Sequence, residues 1–281
     1  MTHRPVGGRS GRKSQSAARG RHATPRVIRR MARRTVGFFH MKRRGHGRCR
    51  CDWQRQDIQR RLSENARGGA LPDNSISACI ADPPYGVDFH SGSQKGKTRG
   101  KFNRIANDKM PYIWWLPFVA SALKEDGCLA CFSRWDVQDS FIRAIELAGL
   151  TVRNVVVWDK QCIGMGNLRQ SFGPSYESII FATKNGFKFP AKRPRDVLSH
   201  MKVSSNKLVH PNEKPVELIE ELIRDICPEG GTVLDPFMGS GTTGVACART
   251  GRPFVGIELD DGYYQIARSR IEDAHSSKSV D

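Results

Sequence analysis

The chain has 281 residues, 38% of them hydrophobic, and a formal charge of +18. This length suffices for one large α/β domain or two small ones with a buried core. No apolar run approaches the length of a membrane span, and no signal peptide follows the basic N-terminus. We therefore expect a cytoplasmic protein without a membrane partner.

The positive charge is concentrated at the N-terminus. Residues 1–50 contain 16 Lys and Arg and no Asp or Glu, whereas residues 51–281 contain 30 basic and 28 acidic residues. A basic block with few large apolar side chains cannot bury enough surface to fold alone, so we predict a disordered tail over 1–50 and a folded domain over 51–281. The Lys and Arg side chains of such a tail could bind the phosphates of a nucleic acid. The other interpretation is that translation starts at Met31 or Met41.

Strands and helices alternate along the folded part. The pattern predicts strands at 75–81, 127–133, 151–160, 176–184, 231–235 and 253–260, and helices at 111–124, 139–149, 215–226, 244–250 and 261–273. Pro117 is expected to kink or split the first helix. Alternation of this kind is typical of an α/β fold with a mostly parallel sheet. The polar, basic stretches 89–109 and 185–209 predict surface loops.

The stretch Ala-Asp-Pro-Pro-Tyr-Gly at residues 81–86 ends the first of these strands. Two prolines stiffen the backbone and leave its carbonyls with few local partners. Asp82 adds hydrogen-bond acceptors and Tyr85 adds a flat ring. The stretch therefore indicates a site for a planar group that carries hydrogen-bond donors.

A glycine-rich loop follows the strand that ends at Asp235. Gly239-Ser-Gly241-Thr-Thr-Gly244 matches G-x-G-x-x-G and opens a helix, and Glu258 closes the next strand. In that context the glycines let the backbone approach a ligand and the acid takes ribose hydroxyls. Only 23 residues follow Glu258, too few for the rest of a dinucleotide domain, so the other strands must come from upstream.

The acid before the glycine loop indicates the charge of the ligand. Asp235 would repel the phosphates of a dinucleotide and attract an ammonium or sulfonium group. S-adenosylmethionine fits this requirement, because it combines a ribose with a cationic amino-acid portion. The predicted cofactor-binding residues are Asp235, Phe237, Gly239, Gly241, Thr242, Thr243 and Glu258, with Lys214 as a candidate for the cofactor's carboxylate.

Asp82 and Asp235 both follow predicted strands, and open α/β sheets bind ligands at the carboxyl ends of their strands. We therefore expect the two motifs to share one pocket.

A metal site is not expected: Cys128 and Cys131 form a C-x-x-C on a predicted strand, but no second pair completes a zinc set.

In this order the motifs resemble the β group of DNA amino-methyltransferases, over about residues 71–272. Asp82-Pro83-Pro84-Tyr85 matches the catalytic motif of that group, 235–243 its cofactor motif, and 210–215 the segment before it. The resemblance implies a Rossmann-like class I methyltransferase fold with a circularly permuted motif order. It also implies S-adenosylmethionine as cofactor, double-stranded DNA as partner and a flipped-out target base. We assign target recognition to loops 89–109 and 185–209, and a homodimer is one assembly to test.

The expected chemistry is methyl transfer to an exocyclic amine, whose lone pair is delocalised into the base. The Asp82 carboxylate and the Pro84 carbonyl would accept its two N–H bonds and free the lone pair for attack, with Tyr85 stacked on the base. Within the group that the motifs resemble, a motif that begins with Asp is more typical of adenine enzymes, so the resemblance implies N6 of adenine, with N4 of cytosine as the alternative. The C5 reaction of cytosine is not expected, because the chain has no Pro-Cys pair.

The alternative to an active enzyme is that the chain is an inactive, DNA-binding prophage remnant. Related enzymes usually carry a Gly-Asp pair about twenty residues before the catalytic motif, where this chain reads RLSENARGG.

Overall fold

The computed structural model describes the backbone of residues 35–43 and 49–57, and residues 71–86, 110–164, 169–204, 206 and 213–278 in full. The strands are β1 (Thr35–Arg43), β2 (Cys49–Asp57), β3 (Ile76–Ala81), β4 (Leu123–Ser133), β5 (Thr151–Asp159), β6 (Tyr176–Thr183), β7 (Val197–Ser199), β8 (Val233–Asp235) and β9 (Phe254–Glu258). The helices are α1 (Leu116–Ala122), α2 (Gln138–Leu147), α3 (Val216–Ile226), α4 (Thr242–Thr250) and α5 (Asp261–Lys278). None of these helices has the length and apolar character needed to cross a membrane.

The described strands form one sheet in the order β2-β1-β9-β8-β3-β4-β6-β5-β7. Within the seven strands from β9 to β7, six point the same way and β6 runs against them. The prediction of an α/β fold with a mostly parallel sheet is confirmed for this part. The permuted order is also visible, since the late strand β8 lies directly beside β3, the first strand of this group in the chain.

The structure differs from the predicted tail at its C-terminal end. β1 pairs antiparallel with β9 on one side and with β2 on the other. The segment 35–41, Thr-Val-Gly-Phe-Phe-His-Met, carries β-branched and aromatic side chains that favour strands, and the edge of β9 supplies backbone partners that an isolated segment lacks. Thus 35–43 belong to the sheet, and residues 1–34 lie outside the described part.

Two other boundaries differ from the predicted ones. The predicted helix 111–124 is shortened to α1, because Pro117 stands in its first turn and the chain before it is not helical; β4 then begins at Leu123. The predicted loop 185–209 contains β7, which pairs with β5. By contrast α3 follows its expected pattern, with Leu218, Ile219, Leu222, Ile223 and Ile226 buried at helical spacing.

The parallel strands place both sequence motifs at one edge of the sheet. β3 ends at Ala81, β8 ends at Asp235, and the two strands are parallel neighbours. Asp82 and Asp235 therefore lie side by side at the carboxyl edge, as expected. The predicted recognition loop 185–209 starts at the opposite edge, where Gly186 donates to the Glu125 carbonyl at 2.9 Å, and returns to the site edge only along β7. The predicted loop 89–109 lies outside the described residues.

Candidate functional site

Asp82 lies in a buried network of four charges. The Lys214 Nζ donates to Asp82 Oδ2 at 2.6 Å and lies 3.3 Å from Glu177 Oε2. The Lys160 Nζ lies 2.7 Å from the other Glu177 oxygen. The Lys214 contact with Glu177 is electrostatic, since Oε2 has no hydrogen-bond partner among the described residues. Two ammonium groups thus neutralise two carboxylates around the predicted catalytic residue.

Burial and charge act against each other in this network. Burial raises the pKa of Asp82 above its ordinary value, while Lys214 opposes that rise. Burial alone would lower the pKa of Lys214, but Asp82 and Glu177 raise it, so its ammonium form is stabilised. For Glu177, Lys214 and Lys160 outweigh burial and lower the pKa. Asp82 is therefore the more basic of the two carboxylates.

Tyr85 and Pro84 already have partners within the chain. The Tyr85 hydroxyl donates to Asp82 Oδ1, and the Tyr85 side chain is buried. The Pro84 carbonyl accepts the Tyr112 N–H at 3.2 Å. Stacking of Tyr85 on a base, as predicted from the sequence, therefore requires this ring to be uncovered first. Gly86 has φ +85° and a Cβ there would lie 2.7 Å from the Met110 Cα, so residues 110–112 pack directly on the motif.

Asp235 organises the glycine loop. Its Oδ1 accepts the Phe237 N–H at 2.9 Å, and its Oδ2 accepts the Thr243 hydroxyl at 2.5 Å. The pKa of Asp235 is raised to about 7: burial is the main cause, the two hydrogen bonds oppose the rise, and the nearby Asp82 and Glu258 add to it. The structure thus brings the two predicted acids within electrostatic reach of each other.

Glu258 holds the other side of the loop. Its Oε2 accepts the Gly239 N–H at 2.8 Å, and its Oε1 accepts the N–H groups of Leu259 and Asp260 at 2.7 and 2.8 Å. Burial raises the pKa of Glu258, and these backbone donors oppose the rise. An ionised carboxylate accepts about four hydrogen bonds, so capacity for a ribose hydroxyl remains.

The glycines of the loop are required by close packing. Gly241 has φ +85°, and a Cβ there would lie 2.8 Å from the Ala267 Cα and Cβ on α5. Gly241 is also the N-cap of α4, where it offers no side-chain cap, and Thr242, the first residue of that helix, is buried. The loop therefore fits closely between β8 and α5, with its backbone at the carboxyl edge of the sheet.

Phe237 joins the glycine loop to the segment before α1. Its ring makes edge contacts with Trp115, at a centroid distance of 5.3 Å, and with Tyr112, at 6.2 Å. The Trp115 Nε1–H donates to the Tyr112 carbonyl at 2.8 Å. Since Tyr112 also bonds to Pro84, this aromatic group connects the two motifs.

The predicted site residues meet at one edge of the sheet. Asp82, Pro83, Pro84 and Tyr85 follow β3, and Asp235, Phe237, Gly239, Gly241, Thr242, Thr243 and Glu258 form the glycine loop and its supports. Lys214 contacts Asp82 and Glu177, and its contact with the cofactor's carboxylate stays a prediction. Pro215 directs the chain into α3 from that position.

Sequence reasoning missed three charged residues of the site, Lys160, Glu177 and Arg270. Glu177 is the second residue of β6 and lies at the site edge because β6 runs against its neighbours. Arg270 of α5 donates to the Ser240 carbonyl and hydroxyl at 2.9 and 2.8 Å and pairs with Glu213 at 2.6 Å. A single acid at the start of an apolar strand is the only signal that could have indicated Glu177.

Cys128 and Cys131 are buried and free, and burial raises the pKa of both. Within the described ranges no group of His, Cys, Asp or Glu side chains could hold a metal ion.

The raised pKa of Asp235 predicts a pH dependence of stability. A proton that the folded state binds more tightly than the unfolded state stabilises folding at low pH, and this contribution is lost as pH rises from about 4 through about 7. Asp235→Asn should remove that slope, which is at most about 1.4 kcal/mol per pH unit. Urea unfolding of the wild-type protein and of Asp235→Asn, from pH 5 to 8, measures the pH dependence of the free energy of unfolding. The same dependence of the free energy of unfolding on pH in both proteins would show that Asp235 ionises normally.

Comparison with known proteins gives the family. The DNA methylase family (N6_N4_Mtase) matches residues 76–269. A putative methylase, YubD of Escherichia coli K12, is 33% identical over 204 residues, and the type II methyltransferase M2.DpnII of Streptococcus pneumoniae is 30% identical over 226 residues; each alignment covers 72% of this chain and 84% of the relative.

Solved structures share the fold. The M1.HpyAVI–SAM complex has a TM-score of 0.56 at 24% identity, covering 76% of this chain and 95% of that one. The cytosine-N4-specific PvuII DNA methyltransferase also has a TM-score of 0.56, at 20% identity, covering 75% and 88%. With the family match over the whole parallel part of the sheet, the chain belongs to the N6/N4 DNA methylase family.

Proposed function

We propose that this protein transfers a methyl group from S-adenosylmethionine to N6 of adenine in double-stranded DNA. The observation that carries the proposal is the placement of Asp82-Pro83-Pro84-Tyr85 and the glycine loop on parallel neighbours β3 and β8, at one sheet edge. The first residue of the motif, Asp82, favours adenine. Transfer to N4 of cytosine is the alternative reaction for the same site.

The residues of the glycine loop fit S-adenosylmethionine. Gly239 and Gly241 bring no side chains into the loop, and the acids of the loop and its support are Asp235 and Glu258. An acidic loop suits a cation and a ribose better than a pyrophosphate. When bound, S-adenosylmethionine would supply a methyl group on a positively charged sulfur, and the S–C bond would break to leave a neutral thioether. Gly239, Gly241 and Glu258 would hold it, while Asp235 and Thr243 keep the loop in place.

Asp82 and Pro84 would act on the amine. Asp82 retains acceptor positions beyond those used by Lys214 and Tyr85, and the Pro84 carbonyl retains a second lone pair beside the Tyr112 bond. N–H groups bonded to these acceptors direct the nitrogen lone pair towards the methyl carbon. Asp82, with its pKa raised by burial, then takes the proton that the methylated nitrogen releases.

Gly241→Ala should strongly weaken cofactor binding. The new Cβ would lie 2.8 Å from Ala267 and the φ of +85° would be strained, so the loop must shift away from its ligand. The matched control is Gly149→Ala, which has a φ of +89° and nothing within 4 Å of its Cβ. Titration calorimetry with S-adenosylmethionine should show an affinity loss of about 100-fold or more for the first and wild-type affinity for the second. Equal affinities would remove the loop from the cofactor site.

The function is tested in cells that lack their own adenine and cytosine methylation. We expect N6-methyladenine at one short sequence in DNA from cells that express the protein, and none with Asp82→Ala. N4-methylcytosine would assign the alternative reaction. Unmodified DNA, with the purified protein still binding S-adenosylmethionine, would support an inactive remnant.

A further inference from the structure

Large apolar side chains are exposed around the site edge of the sheet. They are Met110 (67% exposed), Trp114 (73%), Trp135 (76%), Ile163 (78%), Phe172 (101%) and Tyr176 (45%). All lie in connections at the carboxyl ends of parallel strands or, for Tyr176, at the start of the antiparallel β6. Exposed apolar side chains grouped on one side of a protein mark an interaction surface.

Phe172 is the most exposed of the group, and it lies on an extension of the β5–β6 hairpin. The Lys160 N–H donates to the Ser175 carbonyl at 2.9 Å and the Gly164 N–H to the Pro174 carbonyl at 2.8 Å, so the pairing continues beyond both strands. Gly173 lets the returning chain pass close to Ile163, because a Cβ there would lie 2.2 Å from the Ile163 Cγ2. The extension thus carries Phe172 outwards from the sheet.

The hairpin extension is anchored in the catalytic network. Phe172 precedes Glu177 by five residues, a span of at most about 17 Å. Glu177 is 3.3 Å from Lys214, which is 2.6 Å from Asp82. The Lys160 side chain at the base of the extension pairs with Glu177 as well. A duplex that delivers a base to Asp82 therefore passes within reach of Phe172.

We propose that Phe172 is a wedge that enters the DNA duplex beside the extruded base. A base that leaves the stack opens a gap, and an apolar ring that fills the gap replaces part of the lost stacking. Charge favours DNA as the occupant: Gly86 and Met110 lie at the same edge, and the sequence between them, residues 87–109, contains six Lys or Arg and two Asp. This inference rests on the proposed function and adds the residue that holds the base outside the helix.

The test compares Phe172→Ala with Leu147→Ala, which removes an equally apolar side chain, 89% exposed, at the opposite edge of the sheet. The substrate is a synthetic duplex that carries the sequence found modified in cells. We expect Phe172→Ala to lower kcat/KM by about 10- to 100-fold and Leu147→Ala to leave it unchanged. Phe172→Trp should retain most activity, because a larger ring still fills the gap.

A second substrate separates a wedge from a simple contact. In this duplex the target base is mispaired, so extrusion is easier and needs less help; the Phe172→Ala defect should shrink to less than about threefold. A defect of equal size on both duplexes, or no defect on either, overturns the wedge. A loss of self-association by Phe172→Ala in sedimentation, with kcat/KM on both duplexes unchanged, would assign the surface to a second copy instead. A wild-type protein that methylates neither duplex contradicts the proposed function itself.

Discussion

Asp82→Asn should lower the rate of methyl transfer by about 10²- to 10⁴-fold while leaving the affinity for S-adenosylmethionine within about twofold. The carboxamide keeps the size of the side chain but loses the negative charge, so it cannot take the proton of the amine. The substitution also weakens the contact with Lys214, whose Nζ lies 2.6 Å from the carboxylate in the wild-type protein. Single-turnover transfer to DNA and calorimetric binding of the cofactor measure the two effects separately.

The control for Asp82→Asn is Asp136→Asn. Asp136 follows β4 at the same edge of the sheet but is paired with Arg134 at the surface, and that guanidinium lowers its pKa. Surface ion pairs of this kind contribute little, so transfer should continue at the wild-type rate. If Asp82→Asn were as active as Asp136→Asn, the proton would leave by another route and Asp82 would have no role in the reaction.

Lys214→Met should destabilise the protein and weaken its activity together. Removing the ammonium leaves the carboxylates of Asp82 and Glu177 facing each other in a buried position, and breaking a buried ion network of this kind costs about 3–5 kcal/mol. The pKa of Asp82, already raised by burial, should rise further once its cation is gone. The rise of kcat/KM with pH should therefore move to higher pH.

The double variant Lys214→Met/Glu177→Gln distinguishes charge from packing. Neutralising Glu177 removes the repulsion that Lys214→Met creates, so urea unfolding should regain part of the lost stability. Lys192→Met, at an exposed lysine, should change neither stability nor the pH profile. A double variant that is destabilised by the sum of its single effects would show that the two side chains do not interact.

The sequence was sufficient for the features that depend on local pattern. The strand before Asp82, the glycine loop after Asp235 and the helical spacing of Leu218, Ile219 and Leu222 all follow from short runs of residue type. Their meeting at one edge follows from a general property of parallel sheets. The fold and the family, which were predicted from motifs that occupy a small part of the chain, are therefore confirmed.

The remaining features depend on tertiary partners that short runs do not encode. Glu177 reaches the site only because β6 is antiparallel, and Lys214 turns towards Asp82 because two carboxylates attract it. Arg270 lies on the last helix, 30 positions from Ser240. The pairing of β1 with β9 likewise overrides a composition that, taken alone, predicted a disordered segment.

The central claim is that one sheet edge joins a methyl donor to the exocyclic amine of a DNA base, with Asp82 as the acceptor. The most direct measurement uses purified protein, S-adenosylmethionine with a labelled methyl group and unmethylated duplex DNA, followed by digestion to nucleosides. The account predicts labelled N6-methyl-2′-deoxyadenosine from the wild-type protein and almost none from Asp82→Asn. Label in C5-methylcytosine, or undiminished labelling by Asp82→Asn, would contradict it.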